Sequence, residues 1–364
     1  MTKNNSINIL LIFLSLIFCY FFSVSMARST NTTDFPSYYY AARTVLDNSV
    51  PVDDVFKIDL NNKYNIPEKR PGFLIYPYSL LSAYILAPLG LMDYYDAKTT
   101  MIFLNILMYL CANAIVLSLG NASGRSFVYP LMLSVFWIPF IHNIVFSNVN
   151  ALMLFLVSIA TFALTKNRPI LCGTLLGTAA LFKVFPLAIA MSLGLKNWRI
   201  FAASIAVVGG SLIIPGAMGW FKAMGHAHQG FYIPRSLWIE NYGIFFFWCY
   251  SGAMALITAL IIFIKKQLDW PLIVAFAIPA MFLTMPAFLY YHLTILMFTY
   301  AYLWSTNQSN KAVITLMILS ILVISFSHRY NHSVMTIFSL FLLWIILAYK
   351  VVFFSAVSKN NSFR

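Results

Sequence analysis

The sequence predicts an all-α, polytopic integral membrane protein: a bundle of about ten to twelve transmembrane helices, each needing roughly 20 apolar residues to cross a hydrocarbon core about 30 Å thick. Three observations carry that expectation. Of 364 residues, 61% are hydrophobic and 9% are charged, against roughly 45–50% and about 25% in an average soluble domain. Apolar runs of spanning length begin near Ile7, Thr99, Phe127, Val149, Ile170, Ile200, Ile244, Pro271, Tyr291, Ala312 and Ser333, with a shorter one near Tyr76. Between the runs, basic residues fall singly or in pairs: Arg125, Lys166/Arg168, Lys196/Arg199, Lys265/Lys266, Lys311, Lys350 and Lys359/Arg364. That is the pattern of cytoplasmic loops under the positive-inside rule.

These features exclude several functional classes. No polar stretch is long enough for a soluble nucleotide-binding domain, so residues 1–364 read as a single transmembrane domain. A formal net charge of +13 invites nucleic acid, but dispersed single lysines make no patch and no nucleic-acid partner is expected. Anionic lipid headgroups are the natural contacts for those loops. Each of Cys19, Cys111, Cys172 and Cys249 sits in its own apolar run, as a small buried hydrophobe does. His226-x-His228 has no further ligand cluster nearby in sequence, so it supports a metal site only weakly; no metal ligands are assigned and no cofactor is expected.

Taken in order, the first run, Ile7 to Ala27, is long for a signal peptide and long enough to span, so it reads as a retained anchor. Residues 28–73 then form a polar segment holding six of the ten acidic residues. With Lys3 before the first span, this segment is expected outside the cell membrane as the first outer loop. Pro51, Pro67 and Pro71 favour short helices and turns within it. A second outer loop is expected over 220–243, with Arg235, Trp238, Glu240 and Asn241. The middle of the chain leaves two options. Lys166/Arg168 and Lys196/Arg199 both look cytoplasmic, yet one apolar run separates them. Either one pair faces outward, or Ile170–Leu195 is a hairpin of two half-helices broken near Pro186, which lacks an N–H and crowds the carbonyl of Phe182.

Few residues offer chemistry. Lys183 lies well inside an apolar run, where a cation costs roughly 2.5–3.5 kcal/mol on insertion scales, so function is the default reading and snorkelling the alternative. An ammonium beside a freed helix end suits an anion, phosphate above all. Asp34 stands just beyond the first span among aromatics, as a general base or as a solvated loop aspartate. Asn148 and Asn150, before a later span, either bond sugar hydroxyls or cap the helix. His292 lies between two apolar runs and is either structural or catalytic.

Several short runs in order resemble one family. Asp34-Phe35 with Tyr38-Tyr39-Tyr40-Ala41-Ala42 opens the series, followed by Tyr76-Pro77-Tyr78-Ser79-Leu80 and Ala87-Pro88-Leu89. Asn148-Val149-Asn150 comes next, then Gly173 to Ala180 with Lys183 and Pro186, and finally Tyr290-Tyr291-His292. The combination, from Asp34 to Leu296, resembles glycosyltransferase family 87, the polyprenyl-phosphate-mannose-dependent group with the GT-C membrane fold. Asn148 stands where that pattern has Gln, and Tyr290 where it has Trp.

The resemblance implies an inverting transfer of a hexose, mannose foremost, from a polyprenyl-phosphate donor to a glycolipid or surface glycan acceptor. The reaction would take place at the outer face of the inner (plasma) membrane. Asp34 would be the base, Lys183, Arg235 and His292 would hold the donor phosphate, and Tyr38, Tyr39, Tyr76, Asn148 and Asn150 would contact substrate. Tyr40 and Trp238 join the aromatic surfaces available for stacking on sugar rings. Two other classes remain open: a flippase or secondary transporter for lipid-linked sugar, using Lys183 and His292, and a glycan polymerase or ligase.

Overall fold

The computed structural model describes residues 3–30, 34–47, 66–67, 76, 78–214, 217, 237–265, 269–284, 290–307, 310–330 and 333–354. Side chains at some helix ends, including 3–13, 237–244 and 290–291, fall outside that description. All regular structure among the described residues is helical, as expected. In chain order the helices are α1 (Lys3–Ser29), α2 (Phe35–Leu46), α3 (Leu80–Leu86), α4 (Tyr94–Leu119), α5 (Arg125–Ser134), α6 (Ile138–Val145), α7 (Asn150–Thr165) and α8 (Pro169–Phe182). Then follow α9 (Pro186–Gly194), α10 (Trp198–Ser211), α11 (Leu237–Ile264), α12 (Trp270–Thr284), α13 (Met297–Thr306), α14 (Lys311–Tyr330) and α15 (Ser333–Phe354). Short 3-10 segments cover Ala87–Leu91 and Tyr290–Leu296.

By length and composition, α4 and Met335–Val352 of α15 can each cross a membrane. The pair α5 and α6, bent by 47° at its junction, makes a third span if taken as one. The apolar helices α7, α8, α10 and α12 are shorter, at 14–16 residues. Large apolar side chains face outward along the bundle: Phe18 is 71% exposed, Phe136 72% and Phe245 79%. A water-soluble surface tolerates apolar patches of only a few hundred Å², so such a coat is suited to lipid.

The helices distinguish two ends. Lys98, near the start of α4, donates to the Thr30 carbonyl just after α1 (2.5 Å), so α1 and α4 run in opposite directions. The far end of α4 lies against the end of α13, where Gly120 abuts Ser305. Trp304 Nε1 bonds the Ser126 carbonyl there at 3.1 Å. The same end gathers Lys196, Lys265 and Lys350, and is called the lysine end below.

The middle of the chain follows the hairpin option. Gly173 of α8 lies against Ile200 of α10 and Gly177 against Ser204, so the numbers rise together and the two helices are parallel. A Cβ on Gly173 would meet the Ile200 carbonyl oxygen at 2.3 Å, and one on Gly177 the Ser204 oxygen at 2.8 Å. Glycine is needed here for close backbone approach, as in small-residue membrane packing. Ser204 Oγ completes the contact by donating to the Gly173 carbonyl at 2.8 Å. Since α8 and α10 are parallel, α9 must reverse between them. Both basic pairs, Lys166/Arg168 and Lys196/Arg199, therefore sit at the lysine end, while Lys183 is carried about 21 Å away, the rise of a 14-residue helix.

At the opposite end α2 and α3 pack together. The apolar run near Tyr76 forms α3 and the 3-10 segment Ala87–Leu91, which lies on α2 so closely that a Cβ on Gly90 would stand 2.9 Å from the Ala42 and Arg43 backbone.

Candidate functional site

Three chain breaks bring polar groups together at the end away from the lysines. The first precedes α2. Asp34 occupies its N-cap position, and Pro36 sits in the first turn, where a missing N–H costs nothing. The Asp34 side chain makes no capping bond to its own helix. Its Oδ2 instead accepts from Asn148 Nδ2 at 2.7 Å, joining positions 114 residues apart.

The second break is the turn between α6 and α7. Ser147 there adopts φ of 49°, the left-handed region that a non-glycine residue enters only when its surroundings compel it. Asn148 N donates to the Asn143 carbonyl at 2.9 Å. Asn143 Oδ1 takes the Asn150 backbone N–H at 3.2 Å and its Nδ2 at 3.1 Å. Thus Asn143 supplies the cap of α7, and neither Asn148 nor Asn150 does. Asn143, Asn148 and Asn150 are all fully buried.

The third break is the α8–α9 turn. Lys183 there is extended, at φ −154° and ψ 134°, and Pro186 opens α9. The half-buried Lys183 directs Nζ to Asn148 Oδ1 at 2.9 Å and to Asn150 Oδ1 at 3.0 Å. Asn150 Nδ2 donates to Asn148 Oδ1 at 2.8 Å. Buried amides and an ammonium are tolerable only when bonded in this way, because an unpaired buried polar group costs about 1–3 kcal/mol. One carboxylate and one cation therefore stand a single amide apart.

Two aromatic residues complete the near surroundings. Tyr38 donates its hydroxyl hydrogen to Tyr78 Oη at 2.9 Å and stacks on that ring, with centroids 5.4 Å apart. Tyr78 also feels the Asp34 charge; burial pushes its phenol up, and the carboxylate adds to the effect. His292, in the 3-10 segment Tyr290–Leu296, lies 5.9 Å from the Phe185 ring and within electrostatic reach of Lys183. That segment is held against α6 by Thr294 Oγ1 donating to the Pro139 carbonyl and Trp137 Nε1 to the Leu293 carbonyl.

Of the sequence candidates, Asp34, Asn148, Asn150, Lys183, His292 and Tyr38 share this region. Tyr39 is directed elsewhere: its hydroxyl donates to the Met92 carbonyl at 2.8 Å, and its ring packs on Phe35 and Tyr94. Tyr76 is buried with its hydroxyl on Ser82 Oγ at 2.6 Å, its ring edge-on to Tyr38 and Tyr78. Tyr40 is buried within α2. Arg235, His226 and His228 lie outside the described residues, as does the side chain of Trp238.

Sequence reasoning missed Tyr78, Asn143 and Lys98. The last is a wholly buried cation, which its place at an apolar run's edge concealed. Asn143 carried the clearest signal: an amide inside the apolar run of α6, five and seven residues before Asn148 and Asn150.

Comparison with known proteins agrees with these motifs. Residues 76–232 match the model for glycosyltransferase family 87. An alpha-(1->3)-arabinofuranosyltransferase of Corynebacterium glutamicum is 25% identical over 220 residues, covering 59% of this chain and 48% of that protein. The chain thus spans about half the length of the curated relative it matches. No solved structure matches it.

Proposed function

We propose that this chain, whose residues 76–232 match the model for glycosyltransferase family 87, is a membrane glycosyltransferase moving a hexose, mannose foremost, from a polyprenyl-phosphate donor to a glycolipid or surface glycan acceptor. The observation that carries the reading is the Asp34–Asn148–Lys183 chain of hydrogen bonds, 2.7 and 2.9 Å long. A base and a cation side by side are what this displacement requires. The acceptor oxygen attacks the anomeric carbon with inversion and passes its proton to Asp34, while the carbon–oxygen bond to phosphate breaks. The leaving phosphate takes the bonding electrons, and charge grows on it beside Lys183. A fixed cation facing developing charge is worth more than in water, because it need not reorganise. His292, and Arg235 from the loop before α11, are proposed to assist at the phosphate.

A lipid-borne donor arrives within the bilayer, which is consistent with a chain that has no polar stretch long enough for a nucleotide domain. The lysine end gathers Lys196, Lys265 and Lys350, and the positive-inside rule assigns such an end to the cytoplasm. The site would then face outward from the inner membrane, with 28–73 and 220–243 as its outer loops and residues 1–364 acting as one domain. A pentofuranosyl donor is the second reading, favoured by the name of the corynebacterial relative.

The experiment is transfer by purified protein in detergent or vesicles, with polyprenyl-phosphate mannose, glucose and arabinofuranose offered alongside the corresponding nucleotide sugars. Glycosidic product from a lipid-phosphate donor alone is expected. Efficient use of a nucleotide sugar without a lipid carrier would overturn the donor assignment. Movement of lipid-linked sugar across vesicles with no bond formed would make the chain a flippase.

A further inference from the structure

The Asn148 side chain has two donor hydrogens on Nδ2 and two acceptor directions on Oδ1, four bonds in all. Three of the four are made within the chain. Oδ1 accepts from Lys183 Nζ at 2.9 Å and from Asn150 Nδ2 at 2.8 Å. Nδ2 donates to Asp34 Oδ2 at 2.7 Å. The residue is 0% exposed. An amide sealed from solvent, with three of its four bonds committed to protein groups, is built to hold those groups and not a sugar hydroxyl.

We infer that Asn148 is a positioning residue: its amide holds the Asp34 carboxylate and the Lys183 ammonium in one fixed register and contacts no sugar. The inference rests on the reading of Asp34 as base and Lys183 as the phosphate's partner. Asp34 makes no capping bond in α2, and Lys183 stands in the extended break after α8. Asn148, set by the strained Ser147 turn and the Asn143 carbonyl, is the fixed point between them.

The test separates positioning from sugar contact. With polyprenyl-phosphate mannose as probe, Asn148→Ala should lower kcat about 10²-fold, the order expected for a misplaced catalytic group. KM for the probe should stay within roughly threefold, because no ground-state contact is lost. Asn148→Asp keeps the shape and the acceptor for Lys183 but cannot donate to Asp34, so it should fall as far as Asn148→Ala. Asn148→Gln keeps both functions and should recover part of the rate. Deoxy forms of the mannosyl donor supply a cycle. Their losses should multiply with that of Asn148→Ala, whereas a direct contact would make the two losses coincide.

A second readout needs no turnover. The carboxylate stretch of Asp34, isolated by infrared difference against Asp34→Asn, should shift in Asn148→Ala and in the isosteric Asn148→Asp. An unchanged band, near-normal kcat in both variants, or loss confined to KM would overturn the inference. If the native protein transfers no sugar, the proposed function fails instead, and the band still decides the role of Asn148.

Discussion

The two ends of the bundle both use lysine, and they use it in opposite ways. At the lysine end, Lys196 Nζ donates to the Phe263 and Lys265 carbonyls at 3.2 and 2.6 Å, and Lys265 Nζ to the Val352 carbonyl at 2.5 Å. Lys350 Nζ meets Thr306 Oγ1 at 2.6 Å and Asn307 Oδ1 at 3.3 Å, and lies 5.3 Å from the centre of the Tyr302 ring. These cations satisfy carbonyls and polar groups that helix ends leave without partners, where the helix dipole also favours positive charge. At the other end Lys183 meets two buried amides that lead to a carboxylate. A lysine that closes a helix end is structure. One held through an amide beside an acid is the one proposed to meet the donor phosphate.

The contrast is broken most completely if the two ends share one side of the membrane. In a protein freed of Cys19, Cys111, Cys172 and Cys249, Asp93→Cys and Ser123→Cys provide exposed reporters at the site end and the lysine end respectively. In intact cells an impermeant thiol reagent should label the first, and the second only after permeabilisation. Labelling of Ser123→Cys from outside would invert the assignment of the ends.

Asp34→Asn comes next in size. It preserves volume and much of the hydrogen bonding but removes basicity, and a positioned base is worth about 10²–10⁴-fold in rate. Turnover of polyprenyl-phosphate mannose should fall by that order, while expression and donor binding stay near native. Near-normal turnover in this variant, with loss on changing His292, would move the base elsewhere. Lys183→Met should act mainly on the donor: losing a charged hydrogen-bonding partner, worth about 1.5–3 kcal/mol, weakens binding roughly 10- to 150-fold. Unaltered donor affinity would leave Lys183 a structural cation like those at the other end.

The sequence disclosed the helical class, the charge asymmetry and Lys183, because each depends on composition or on a cation misplaced in an apolar run; Asp34 stood out only through the family resemblance. It framed the hairpin correctly as an option through Pro186 but could not choose it. The choice depends on α8 and α10 running parallel, with Gly173 against Ile200, a contact that no local pattern encodes. The amide network was half legible. Asn148 and Asn150 stood out as polar residues before a span, but their link to Asp34 crosses 114 positions. The tyrosines misled in a physical way: a run of three in α2 suggests a stacking surface, yet helical periodicity sends their rings in different directions. Tyr38 turns toward Tyr78, whereas Tyr39 turns to Met92 on the scaffold side.

The smallest effects belong to the lysine end, and they sharpen the comparison by being small. Lys350→Met removes bonds to Thr306 and Asn307 and the charge facing Asp269, whose carboxyl accepts from Tyr302 at 3.4 Å. Lys265→Met removes a single exposed bond to the Val352 carbonyl. A net hydrogen bond at such a place contributes about 0.5–1.5 kcal/mol, less where water can replace it. For a chain of 364 residues that corresponds to a fall in apparent Tm of about 1–3 °C for Lys350→Met and less for Lys265→Met. Both variants should transfer sugar within about twofold of native, since surface changes remote from a site couple weakly to it. Thermal unfolding in detergent and transfer assays on the same preparations measure the two quantities together. A loss of turnover in Lys265→Met as deep as that in Lys183→Met, with Tm unchanged, would show that the ends are coupled. The lysine end would then be part of the catalytic machinery rather than its closure.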